Sequence, residues 1–184
     1  KPSGDPDTSV GPPLPGVEVK LDHTLGEDPE VGEVLTRGPH VMTGYFRNPQ
    51  ATAQTVQDDW LRTGDLGRID DQGRLHIVGR AKELIIRGGF NVYPPEVEAA
   101  LNDHPAVVQS AVIGRQAQGD EEVLAFVQLR AGSTATVAEL AAFAAQNLTG
   151  YKRPNRIFII DALPAAATGK ILKHRLLETF ADQL

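Results

Sequence analysis

Four segments of the chain carry residue types and spacings that can do chemistry. Lys170 closes the run LPAAATGK at 163–170, directly after Gly169. A lysine on a flexible loop of small residues can swing a point charge toward a phosphate or carboxylate oxygen; an isolated surface lysine needs no such role. Asp65 stands between glycines in RTGDLGR at 62–68, after the apolar lead-in Trp60-Leu61. A carboxylate held on a glycine-flanked turn can accept two charge-assisted hydrogen bonds from a vicinal diol such as ribose, and an ordinary surface turn would look the same.

The other two segments are GRAKELIIRGGFNVYPPEVE at 79–98 and YKRPNR at 151–156. In the first, Arg80 offers a planar fork of donors for ribose or phosphate oxygens. Gly88-Gly89 lets another molecule approach the backbone closely or simply closes a tight hairpin. In the second, Tyr151 beside Lys152 and Arg153 can stack on a base and pair with phosphates, or form a basic loop before a strand. Other chemistries find no support. The five histidines have no metal-ligand spacing, and G-x-S-x-G, Walker and G-x-G-x-x-G patterns are absent.

The elements that must position these residues are short. The chain has 184 residues, a formal charge of −6, no cysteine and no apolar stretch of membrane-spanning length. That charge argues against nucleic acid or an anionic membrane as the main partner, and the lack of cysteine is compatible with a reducing compartment such as the cytoplasm. Residues 1–16 read as loop. Strands are expected at 17–21, 32–38 and 74–79, and a short helix over 48–57 with Asn48 as N-cap and Pro49 in its first turn. Beyond Arg80 the order becomes strand 83–87, a helix opening at Pro94-Pro95, strands 107–113 and 122–129, helix 137–148, strand 156–160 and a final helix over 171–182. The fold class is α+β, with a boundary at Arg80–Lys82.

Taken together and in order, VGPPLPGVEVK, GEVLTRGPHVMTGYFRNPQAT, RTGDLGR, GRAKELIIRGGFNVYPPEVE and PAAATGK resemble the adenylate-forming superfamily of acyl- and aryl-CoA synthetases, luciferases and peptide-synthetase adenylation domains. The likeness runs from about Val10 to the last helix. It implies that residues 1–81 form the end of a large N-terminal domain, a small β-barrel subdomain, and that residues 82–184 form a mobile C-terminal lid. On this resemblance Asp65 and Arg80 would bind the ribose of ATP, and Lys82 would be the hinge. Lys170 would bridge the carboxylate and the α-phosphate. Gly88 and Gly89 would line the path of the CoA thiol arm, and Tyr151 and Arg153 would meet the nucleotide end of CoA.

The resemblance further implies a carboxylic acid, ATP and CoA as small-molecule partners, of fatty-acid or malonate type. Mg²⁺ would be held mainly by an N-terminal part not present in these residues. The pyrophosphate-binding Gly/Ser/Thr loop and the Tyr-Gly-x-Thr-Glu segment are not in the sequence. With Lys1 rather than Met at the start, this suggests a fragment inactive by itself. The stretch RQAQGDEEVLAF at 115–126 is shorter than is usual in the family. Two alternatives stay open: an adenylation domain that loads a carrier-protein thiol, and a non-catalytic binding module.

Overall fold

The computed structural model describes residues 8–25, 28–117 and 119–183; the expected loop over 1–16 therefore lies partly outside the described residues. Contacts divide the chain into two compact units, Lys1–Lys82 and Glu83–Leu184. No helix among the described residues is long and apolar enough to cross a membrane.

The first unit contains β1 (Glu18–Asp22), β2 (Gly32–Arg37), helix α1 (Pro49–Thr55), β3 (Val56–Gln57), β4 (Trp60–Ile69) and β5 (Leu75–Arg80). Asn48 caps α1 by accepting from the Ala51 N–H at 3.0 Å, with Pro49 at the first helical position. The antiparallel strands make a half-barrel in order β1-β2-β4, with β3 and β5 both on the far side of β4. Val31, Val34, Leu35 and Leu66 are buried in its core.

The strand β4 was not expected. Its sequence carries Gly64 and Gly67, which weaken a strand signal. The register explains Gly64. Leu35 pairs with Arg62 and Glu33 with Leu66, so β2 advances two residues while β4 advances four. Thr63, Gly64 and Asp65 thus face Val34 alone, so two extra residues bulge from the ladder, and Gly64 takes φ +75° to allow it. Side chains satisfy the bulge. The Thr63 hydroxyl donates to the Val34 carbonyl at 2.8 Å and accepts from the Asp65 N–H at 3.0 Å. The buried Glu33 carboxylate accepts from the Gly64 N–H at 3.2 Å and from Arg62. Asp65 thus sits on a strand bulge and not on a free turn.

The second unit contains β6 (Ile85–Arg87), β7 (Phe90–Val92), α2 (Pro94–Asn102), β8 (Val107–Ala117), β9 (Asp120–Leu129), α3 (Val137–Asn147), β10 (Arg156–Ile160) and α4 (Leu176–Thr179). Its sheet runs β10-β9-β8, with β9 parallel to β10 and antiparallel to β8; β6 and β7 form a separate two-stranded ribbon. β9 is central and buried on both faces, as its continuous apolar run Val123–Val127 requires. Val123, Ala125 and Val127 pack with Val97 and Leu101 of α2 and Leu140 and Ala144 of α3. Leu124 and Phe126, on the opposite face, pack with Phe158, Leu163 and Leu176. A capping box starts α3: the Thr136 hydroxyl accepts from the Glu139 N–H, and Glu139 accepts from the Thr136 N–H.

Two expectations are corrected here. The strand expected over 83–87 is confined to Ile85–Arg87, because Ala81–Glu83 forms a 3₁₀ turn. The continuous final helix over 171–182 is broken into a 3₁₀ turn at Lys173–Arg175, the four-residue α4, and a second 3₁₀ turn at Ala181–Gln183. Ile171 bridges Ala165 and the Leu172 N–H donates to the Pro164 carbonyl, so helical geometry begins only at Lys173. The tail then follows the sheet, setting Leu176 and Phe180 against Phe126.

Two outcomes follow from the first unit. Glu33→Ala leaves the Gly64 N–H without its acceptor and the Arg62 guanidinium with Asp22 alone, and should lower stability by about 1–3 kcal/mol in chemical denaturation. Asp70, at the β4–β5 turn, accepts from His76, from the Arg74 side chain and N–H, and from the Gln72 N–H. The His76 hydrogen bond, then the Arg74 N–H, hold its carboxyl well below the usual carboxylate range. A depressed folded pKa stabilises fully above the unfolded value near pH ~4 and is lost as pH falls through the folded one. Asp70→Asn should therefore lower Tm at neutral pH, and the gap from wild type should close progressively below about pH 4 in a pH series of melts.

Candidate functional site

Asp65 and Arg80 are cross-strand partners on β4 and β5, and the Arg80 Nε lies 3.1 Å from Asp65 Oδ1. Both remain accessible: the Asp65 side chain is 33% exposed and that of Arg80 58%. Arg80 meets one carboxylate oxygen, and the pair presents acceptor and donor side by side. That is suited to a diol, whose hydroxyls both donate and accept. The two residues singled out separately in the sequence are therefore one feature, created by the bulge.

Gly88 and Gly89 form the two-residue turn between β6 and β7, with φ +58° and +82°. Positive φ at both positions is what a type I′ turn needs, and a Cβ at either would meet nothing within 4 Å. Backbone conformation, not crowding inside the unit, demands glycine there. The turn is held by Asp120, whose carboxylate accepts the Gly88 N–H at 2.9 and 3.1 Å.

Tyr151 stands in a 3₁₀ turn at Gly150–Lys152 and stacks on Phe90 of β7, centroids 4.7 Å apart and planes 23° from parallel. Phe90 is 55% exposed. Arg87 ties the two segments by donating to the carbonyls of Tyr151 at 3.1 Å and Arg153 at 2.8 Å. Arg153 itself donates to the Leu148 and Ala145 carbonyls at 3.0 and 2.9 Å, so it caps the C-terminal end of α3. Lys152 is engaged with Glu96 at 2.7 and 2.8 Å. Tyr151 of YKRPNR is half-buried against the core beneath the exposed Phe90, and much of the segment's positive charge is already satisfied. Sequence reading missed Arg87, Phe90 and Asp120. Phe90 directly follows the glycine pair, which was a usable signal; the reach of Asp120 to Gly88 across 32 residues was not readable.

Lys170 is not on a loose loop. The Ala166 N–H donates to the Lys170 carbonyl and the Gly169 N–H to the Ala166 carbonyl, both at 2.8 Å, with Gly169 at φ +82°. This closes a three-residue hairpin loop of Ala167, Thr168 and Gly169. Lys170 begins the returning limb with its side chain exposed, and among the described residues of its unit that side chain has no hydrogen-bond or ion-pair partner. Lys173 is the contrast: its Nζ is 2.9 Å from Glu83 and 2.7 Å from Glu98, anchoring the tail that carries the hairpin. Lys82 is exposed, lies in the 3₁₀ turn Ala81–Glu83, and is the last residue of the first unit. Among the described residues no group of three or more His, Cys, Asp or Glu side chains could hold a metal ion.

The profile of the AMP-binding enzyme C-terminal domain matches residues 96–170. A long-chain-fatty-acid–CoA ligase of Bacillus subtilis (strain 168) is 42% identical over 175 residues, covering 92% of this chain and 31% of that protein. Among solved structures, ATP-bound MatB from Rhodopseudomonas palustris superposes with a TM-score of 0.86 at 38% identity, over 96% of this chain and 36% of the other. The amide bond synthetase McbA from Marinactinospora thermotolerans superposes with a TM-score of 0.84 at 38% identity, over 94% and 36%. The chain thus spans about a third of the length of these relatives. With more than nine-tenths of its residues aligned at about 40% identity and its fold reproduced in full, the chain belongs to the adenylate-forming superfamily and carries that superfamily's AMP-binding C-terminal domain.

Proposed function

We propose that this chain is part of an AMP-forming acyl-CoA synthetase acting on a fatty acid or malonate. The observation that carries this reading is the presence in one chain of an accessible acceptor–donor couple, Asp65–Arg80, and of Lys170 on a tight hairpin, unpartnered among the described residues of its unit. The name of the B. subtilis ligase supports a fatty acid as substrate, and the ATP-bound state of MatB supports ATP as the nucleotide.

In the first step a carboxylate oxygen of the acid attacks the α-phosphorus of ATP, and pyrophosphate leaves to give the acyl-adenylate. Asp65 accepts hydrogen bonds from the ribose hydroxyls and Arg80 supports the same sugar. The Lys170 ammonium sits between the two anions and offsets the charge that builds as they approach. Magnesium would be held by the phosphates and by a part of the enzyme outside these residues. In the second step the CoA sulfur attacks the acyl carbonyl and AMP departs. Gly88-Gly89 then lines the thiol path, and Tyr151 with Phe90 stacks on the nucleotide end of CoA, beside Arg153. Residues 1–81 act as the end of the nucleotide-binding domain and 82–184 as a lid that turns about Lys82. The division between units directly after this exposed residue supports the hinge. The chain by itself is inactive on this reading.

Full-length protein given ATP, Mg²⁺ and a panel of fatty acids and malonate should release pyrophosphate and form acyl-CoA. Thioester on a carrier protein but none on CoA would instead favour carrier loading, and no pyrophosphate with any acid would favour a binding module. Lys170→Ala should slow adenylation by about 10²–10³-fold and slow thioester formation from supplied acyl-adenylate far less. Equal loss in both half-reactions removes the role given to Lys170. Lys82→Pro should depress overall turnover while nucleotide affinity changes little, since a locked φ blocks rotation and not binding. Unchanged turnover rules the hinge out.

A further inference from the structure

The ribbon that carries Gly88-Gly89 has an unpaired edge. Arg87 and Phe90 flank a two-residue turn and exchange the ladder hydrogen bonds, so the Ile86 N–H faces away from β7. The Gly88 N–H also leaves the turn outward. β6 pairs with no strand other than β7 among the described residues. Main-chain donors on such an exposed edge bond either water or side chains, and here two consecutive carboxylates at the start of β9 accept them. The Gly88 N–H donates to both oxygens of Asp120, and the Ile86 N–H donates to Glu121 Oε2. Each carboxylate is itself oriented. Asp120 Oδ1 accepts the Glu121 N–H at 2.8 Å, and Glu121 Oε1 accepts from the Gln116 amide at 2.9 Å. The Gly88 N–H, and then that of Glu121, hold the Asp120 carboxyl below its ordinary range.

We propose that Asp120 and Glu121 form a latch that docks the Gly88-Gly89 turn onto the three-stranded sheet and thereby sets where the thiol acceptor passes. This rests on the acyl-transfer reading above. Both are positioning residues: they act through the main chain of β6 and its turn, and neither touches substrate. A Cβ at Gly88 or Gly89 would meet nothing within 4 Å, so the turn is not wedged in place by neighbouring side chains at those positions. Freed of these acceptors, the turn would still be carried by the β6–β7 ribbon with its buried Ile85 and Val92, by the Arg87 hydrogen bonds and by the Phe90–Tyr151 stack, but its own N–H groups would be unrestrained. Adenylation, assigned to Lys170, Asp65 and Arg80, does not use this turn, so loss of the latch should separate the two chemical steps.

Amide hydrogen exchange on the 184-residue chain reads the latch without reference to activity. Asp120→Ala should accelerate exchange at Gly88, and Glu121→Ala at Ile86, each by about tenfold or more. Asp120→Asn keeps an acceptor oxygen and should fall between. In full-length enzyme, Asp120→Ala should raise KM for CoA by about tenfold relative to its effect on ATP–pyrophosphate exchange, with Asp120→Asn restoring most of the loss. Unchanged exchange at Gly88 in a folded Asp120→Ala chain overturns the latch. Should that variant not fold, wild-type exchange at Gly88 from Asp120→Asn overturns it equally. Accelerated exchange with both half-reactions slowed alike overturns the link to the thiol step. Wild-type full-length enzyme that makes no thioester overturns the acyl-transfer reading instead, and the exchange result then stands alone.

Discussion

The irregular parts of this chain depend on one interaction, the acceptance of main-chain N–H groups by side-chain carboxylates. Wherever the backbone leaves a ladder or helix, its donors lose their regular partners, and a buried unpaired donor costs about as much as a lost hydrogen bond. Glu33 meets the N–H of Gly64 at the bulge, Asp70 those of Gln72 and Arg74 at a turn, and Asp120 that of Gly88. Glu139 meets Thr136 at the start of α3, and on the regular edge strand β8 Glu98 meets the N–H of Val112. A charged acceptor makes a stronger bond than a neutral one, so each irregular segment is held in one conformation. Asp65 and Gly88-Gly89 sit on just such segments, held by Glu33 and Asp120 respectively.

The second constraint is the burial of β9 on both faces. One face needs helices, and α2 and α3 cover it; the other needs the C-terminal tail, which supplies Leu163, Leu176 and Phe180. The tail must run flat against the sheet to do so, and the Ala166–Lys170 hairpin is the reversal between its two contacts, Leu163 and Leu176. Lys173, bound to Glu83 and Glu98, secures the returning limb. Lys170 is thus presented from a base fixed by packing, and what moves is a side chain with four rotatable carbons, not a slack loop.

The same packing sorts the basic residues. Arg153 and Lys152 read in sequence as charges available to phosphate. In the fold, Arg153 closes the end of α3, Arg87 binds two carbonyls and Lys152 binds Glu96. Phe90, stacked on Tyr151, instead leaves an exposed ring beside the glycine turn. Recognition of a nucleotide there would draw first on ring stacking, a sequence-tolerant contact, with charge as a secondary contribution.

Local rules made much of the chain legible. Asn48-Pro49 announced α1, Pro94-Pro95 announced α2, and the apolar run at 122–129 announced the central strand, because caps and side-chain periodicity act within a few residues. The motif order around Asp65, Arg80 and Lys170 was enough to suggest the family. What stayed hidden was whatever needs a distant partner. RTGDLGR looked like a turn because its glycines argue against a strand, and only pairing with β2 and β5 makes it a bulged β4 that brings Asp65 to Arg80. The final helix looked continuous because its apolar spacing is helical, and only the demand of Phe126 for cover breaks it. Gly88-Gly89 showed a turn, but the carboxylates that hold it come from β9. Sequence determines which conformations each segment can adopt; the long-range hydrogen bonds and the shared core select among them, since those energies exist only once distant segments are in contact.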